Sequence, residues 1–143
     1  MNEVLASEPE NYLITMKTRW IWLYPGLWAL LIFILSSLPD LTGPQIFFKM
    51  SDKFWHVVVY LPLGFLLSLA TETQPGPFKK SPAFWSVFLG VAYGLTDEFH
   101  QYFVPGRFME VFDWGADALG VFIGVGLFYL ARALKNRPHR HAE

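Results

Sequence analysis

The chain has 143 residues, 53% hydrophobic and only 16% charged, where a soluble domain carries about 25% charged residues; its mean hydropathy is +0.31. That length implies one domain, and that balance implies a membrane protein. A formal net charge of -1 provides no global field for nucleic acid, and the lack of cysteine excludes disulfides and thiol chemistry.

Residues 1–19 are mixed polar, with Lys17 and Arg19 next to the first apolar run, and read as a cytoplasmic N-terminal segment. From Trp20 to Pro39 no charge appears. A bilayer-crossing helix needs about 20 apolar residues, so this run predicts a first span. It is too long for a signal-peptide core and no A-x-A-like site follows it. Pro25 falls near its first turn, where proline is least disruptive. Residues 39–53, with two prolines and a glycine, read as a loop. A second apolar run, Phe54 to Ala70, has His56 near its start and Pro62 near its middle. Pro62 should kink that helix and leave a carbonyl for a neighbouring helix to satisfy. Residues 71–82 read as a loop, with Ser81 as an N-cap and Pro82 at the first helical position.

The third run starts at Ala83, stays uncharged to Thr96 and continues as Asp97-Glu98-Phe99-His100-Gln101. The turn Val104-Pro105-Gly106 joins it to a fourth run that starts near Phe108 and carries Glu110, Asp113 and Asp117 in its first turns. From Ala118 to Ala131 that run is apolar, and residues 132–143 form a basic cytoplasmic tail expected to be disordered beyond Pro138. The predicted fold is therefore an all-α membrane protein with four transmembrane helices in a domain spanning residues 20–131. With four spans, the N-terminus, the 71–82 loop and the tail share one side with eight Lys and Arg, against three (Lys49, Lys53, Arg107) on the other. The positive-inside rule then puts both termini in the cytoplasm, and the polar 94–120 stretch faces outward.

Helical rise places His56 about 3 Å inside the second helix and Glu98 about 6 Å inside the third. Glu110, Asp113 and Asp117 fall roughly 3, 8 and 14 Å inside the fourth. Depths and faces agree: Asp52, His56, Tyr60 and Gly64 repeat every four residues, Gly90, Gly94, Glu98 and Gln101 share a face, and so do Glu110, Asp113, Asp117, Gly120 and Gly124. The two small-xxx-small pairs permit close backbone approach beneath a polar pocket. An ionisable group within a span is unfavourable by about 2.5–3.5 kcal/mol, so each of these must be paired, neutralised or functional. Asp97 and His100 fall off the main face and are expected at water or the loop.

Asp52-Lys53-x-x-His56-x-x-x-Tyr60-x-x-Leu63-Gly64 resembles the D-K-x-x-H-x-x-x-Y-x-x-L-G signature of the VanZ-like family. Glu98-x-x-Gln101, followed by Pro105-Gly106-Arg107, Asp113 and Gly120, resembles that family's second pattern, with Asp117 standing where the family usually has Asn. The resemblance covers about residues 20–131. It implies a small polytopic bacterial protein of the cytoplasmic (inner) membrane, in a family named for a member that gives low-level resistance to the glycopeptide teicoplanin.

The candidate binding set is Asp52, Lys53, His56, Tyr60, Glu98, Gln101, Arg107, Asp113 and Asp117. The plainer reading is an internal network that fixes helix register, with Arg107 forking onto a carboxylate. An outward pocket that binds an envelope component or glycopeptide, or supports a partner protein, without catalysis, is the leading functional reading. A second is a membrane enzyme on a phosphate-bearing lipid or envelope precursor. There Glu98 or Asp113 would serve as base, His56 as acid, and Arg107 and Lys53 as phosphate holders. Ser51 and Thr96 are the hydroxyls nearest the site, and neither sits in an activating motif. A third reading is a proton-coupled carrier using Asp117 and His56. One His with Glu98, Asp113 and Asp117 would suit a divalent cation, but no ligand spacing such as H-E-x-x-H is present, so neither metal nor cofactor is assigned. The expected partner is the lipid bilayer, together with a lipid-linked envelope component or glycopeptide; the sequence does not fix the oligomeric state.

Overall fold

In the computed structural model, residues 19–38 and 51–137 are described. Among them are five helices and no strand: α1 (Leu23–Ser36), α2 (Ser51–Glu72), the single-turn α3 (Pro77–Lys80), α4 (Pro82–Gln101) and α5 (Val111–Lys135). The predicted tail beyond residue 137, the N-terminal segment to residue 18 and most of the 39–53 loop lie outside the described residues.

Several boundaries differ from expectation, each for a local reason. The second helix begins at Ser51, so Asp52 and Lys53 belong to its first turn instead of the loop. An acidic residue there suits the positive end of the helix dipole. The fourth run starts at Val111, not near Phe108, and leaves Glu110 as an extended N-cap residue with φ -123° and ψ 122°. Ser81 does occupy the cap position of α4 with Pro82 at N1, but its side chain makes no capping hydrogen bond. The 71–82 loop is shorter than predicted, because α2 runs on to Glu72 and α3 forms within it.

Two helices, Asp52–Glu72 and Val111–Lys135, are long and apolar enough to cross a bilayer. Only 39% and 33% of their apolar windows are buried inside the protein, which separates them from the core helices of soluble folds. Outward-facing Leu27, Phe33, Phe88, Leu95, Phe122 and Leu130 are all exposed, an apolar surface of the kind that lipid covers. The described residues are therefore those of a helical protein of membrane character. The four predicted spans do not all meet the same criterion. α1 has 14 residues, about 21 Å of helix against a hydrocarbon core of about 30 Å. α4 has the length, with 20 residues, but ends in Asp97, Glu98, His100 and Gln101.

The centre of the fold is the α2–α5 pair, which makes the most extensive contact. Its closeness comes from glycine: a Cβ on Gly64 would strike the backbone of Val121, one on Gly120 the backbone of Val57, and one on Gly124 that of Leu61. Those small-residue faces were legible as close-packing signals. α4 lies against both helices, with Gly90 over Val121 and Gly94 over Asp117. Tyr60, Leu63, Leu67, Val121 and Val125 fill the core together with Ile32 of α1. Along its middle, α1 is tied to its neighbours by Trp28 Nε1 donating to the Val59 carbonyl at 2.9 Å and Tyr93 Oη to the Ala29 carbonyl at 2.6 Å. The first lies beside Pro62, whose missing N–H frees the Val58 carbonyl; the neighbouring helix supplies its donor one residue further on. At the opposite end from the acidic cluster, Thr71 and Ser86 hydroxyls bond at 2.7 Å and Arg132 pairs with Glu72.

Candidate functional site

α2, α4 and α5 bring their polar turns together at one end of the bundle. Lys53, His56 and Tyr60 come from one face of α2, Glu98 and Gln101 from the last turn of α4, and Asp113 and Asp117 from the first turns of α5. The α4–α5 connection is a tight turn, in which the Arg107 N–H donates to the Val104 carbonyl at 3.1 Å. Pro105 at the second position and Gly106 at φ 83° give it type II character, which only glycine adopts without strain at that third position. That turn sends Arg107 back over the site.

Lys53 Nζ donates to Asp113 Oδ1 at 2.5 Å and to Glu110 Oε2 at 3.1 Å. Asp113 is buried while Glu110 is exposed, so the first bond is the one shielded from solvent. His56 Nδ1 and Asp117 Oδ1 lie 2.8 Å apart, with Asp117 0% exposed. Glu98, also 0% exposed, accepts the Glu110 backbone N–H on Oε2 at 2.9 Å, so a buried carboxylate caps the entry into α5. Gln101 Nε2 donates to Asp97 Oδ2 at 3.1 Å, and its Oε1 accepts from Arg107 Nη1 at 3.5 Å. Arg107 also donates to the carbonyls of Leu38 and Leu35, at 3.3 and 3.5 Å. A cation thus sits at the C-terminal end of α1, where the dipole favours it, bonded to carbonyls of that end.

Eight of the nine predicted residues converge here: Lys53, His56, Tyr60, Glu98, Gln101, Arg107, Asp113 and Asp117. Asp52 is exposed and reaches the group only at its rim. Glu110, placed by the helical count inside the fourth helix, instead lies before it and faces out. Of the two residues expected off the main face, Asp97 is buried against Gln101 and Tyr60, and His100 bonds Ser37 Oγ at 2.9 Å while packing on Phe33. A signal for Asp97 existed: one helical step of four residues back from Gln101 lands on it. Thr96 is exposed and spends its hydroxyl on the Tyr93 carbonyl at 2.7 Å, leaving no activated nucleophile there.

Among the described residues, four buried oxygens of the cluster have no hydrogen-bond partner: Tyr60 Oη, Asp97 Oδ1, Glu98 Oε1 and Asp117 Oδ2. A buried polar atom without a partner is unfavourable by about 1–3 kcal/mol, so each marks a place for a proton, a water or a ligand. Beside them is a cavity of about 140 Å³ between α1 and α2, polar where Asp52, His56, Tyr60, Asp97 and Arg107 line it and apolar along Ile32, Leu35, Trp55 and Val59. Two trios of donor atoms lie within 4.8 Å of one another: Asp52, His56 and Asp113, and His56, Glu98 and Asp117. In the first, Asp113 is already taken by Lys53.

No curated protein and no solved structure matches the chain. A family model, VanZ/LLP1, matches residues 13–132, which takes in all five helices up to the last turn of α5 and every residue of the polar cluster. With most of its length matched, the chain belongs to the VanZ-like family.

Proposed function

We propose that this protein sits in the bacterial inner membrane with four spans and both termini cytoplasmic, and acts at the cell envelope by holding a small polar headgroup in its outward pocket. The observation that carries this reading is the junction of a buried polar cluster with a half-apolar cavity at the same end of the bundle. At about 140 Å³ the cavity falls below the roughly 300–1,000 Å³ of sites for drug-sized molecules. That size suits the headgroup of a lipid-linked component whose chain stays among Ile32, Leu35 and Val59, not a whole glycopeptide. Any glycopeptide resistance would then act by changing the envelope instead of sequestering the drug.

The test is fluorescent teicoplanin bound per cell in a glycopeptide-sensitive Gram-positive host. Wild type is compared with Glu98→Gln and Asp113→Asn at matched membrane levels. Reduced binding with wild type, restored by both variants, supports the reading; identical binding in all three removes its antibiotic part. A second reading, an enzyme on a phosphate-bearing lipid, is favoured by the free Glu98 Oε1 and Tyr60 Oη in a buried site that also contains His56. It requires a lipid product that appears with wild type and disappears with Glu98→Gln.

A further inference from the structure

We propose that His56, Glu98 and Asp117 form a binding site for one divalent transition-metal ion of the Zn(II) or Mn(II) class. The three residues come from three different helices, α2, α4 and α5, so no sequence spacing marks them as ligands. Their donor atoms nevertheless lie within 4.8 Å of one another. Both carboxylates are wholly buried, and each has one oxygen spoken for and one free. Glu98 Oε2 takes the Glu110 N–H and Asp117 Oδ1 takes His56, which leaves Glu98 Oε1 and Asp117 Oδ2 without partners. Asp117 Oδ2 is turned towards Gly94, one helical turn before Glu98 on the same face of α4. The free oxygens therefore belong to facing carboxylates.

Charge balance points the same way. Two carboxylates beside a single imidazole in a water-poor interior leave an uncompensated negative charge, even with His56 protonated, unless one acid stays neutral. A divalent ion with neutral His56 balances both carboxylates at once and gives each free oxygen a partner. On loading, His56 would give up the proton it shares with Asp117 across 2.8 Å and turn its nitrogen to the ion. One nitrogen and two carboxylate donors suit Zn(II) or Mn(II) better than Ca(II) or Mg(II), which favour all-oxygen shells. An entry path exists, since His56 also lines the cavity between α1 and α2. The ion's remaining coordination positions are left for water or a headgroup oxygen. The site stands whether or not the pocket takes an envelope headgroup, because ion binding is read on the purified protein alone.

The experiment is metal stoichiometry and titration on detergent-purified protein, stripped with chelator and reloaded with Zn(II) or Mn(II). Wild type should retain one ion per chain and gain thermal stability with it. Glu98→Gln and Asp117→Asn should bind at least about tenfold more weakly and lose the metal-dependent gain. Glu72→Gln, at the far end of the bundle, should match wild type. No ion retained at any loading, or equal affinity in Glu98→Gln and wild type, overturns the proposal and leaves His56 and Asp117 as a proton-bridged pair. Should the variants fail to fold, Co(II)-loaded wild type decides. A histidine nitrogen in the ligand field supports the site, and a spectrum of solvated ion overturns it.

Discussion

Replacing Gly120 with alanine would put a Cβ 2.5 Å from the Val57 carbonyl oxygen, 3.0 Å from Tyr60 Cβ and 3.1 Å from Val57 Cα. The nearest obstacle is backbone, so no side chain can rotate away and the two helices must separate. Restoring a 3.4 Å contact from 2.5 Å requires a displacement of about 0.9 Å. Carried from Val57 to its neighbour His56 and from Gly120 one turn along α5 to Asp117, that displacement would lengthen the His56–Asp117 bond from 2.8 Å to about 3.7 Å, beyond hydrogen-bond range. The variant should lose about 1–3 kcal/mol from overpacking, plus about 1 kcal/mol from the broken bond. The assay is unfolding in mixed micelles, with Gly115→Ala and Gly126→Ala as controls. A Cβ at either control position meets nothing within 4 Å, so better helix propensity should leave them neutral or up to about 1 kcal/mol more stable. Should Gly120→Ala unfold together with the controls, the close α2–α5 crossing is wrong, and the placement of the site above it falls with it.

Lys53→Met removes the cation from buried Asp113, and because Lys53 is itself 35% exposed the expected loss is about 1–2 kcal/mol, not that of a fully buried pair. Glu110→Gln, at the exposed arm of the same contact, should lose less than about 0.5 kcal/mol in the same unfolding assay. Trp28→Phe and Tyr93→Phe should each lose about 0.6–1 kcal/mol, and together should loosen α1 enough for faster proteolysis near residue 38 while α2 and α5 stay protected. Because the chain has no cysteine, single cysteines at Gly106 and Gln74 report topology directly. The four-span reading expects Gly106→Cys to react with an impermeant reagent from outside intact cells, and Gln74→Cys to react only after the membrane is opened. Labelling of both from one side would mean no span, or an even number of spans, between them.

The all-helical class, the order of the runs and most of the polar cluster were legible because charge is rare in apolar sequence and helical spacing is regular. Each acid, histidine and glycine in such a run advertises the face it occupies. Asp97 was legible in principle from Gln101 and was missed because its neighbour Glu98 fitted the glycine face better. Helix starts were harder: nothing in the run around Phe108 says that Glu110 stays extended, a choice made by the buried Glu98 carboxylate that accepts its N–H. Nor could spacing pair the charges. Lys53 takes Asp113, His56 takes Asp117 and Arg107 turns to the carbonyls ending α1, because glycine contacts between α2 and α5 fix how far each helix slides along its neighbour. By itself, then, the sequence determined the helices, their faces and the chemistry gathered on them. Only tertiary structure decided which donor meets which acceptor, since that depends on offsets of an ångström or so between helices, set by backbone contacts that no spacing along one chain records.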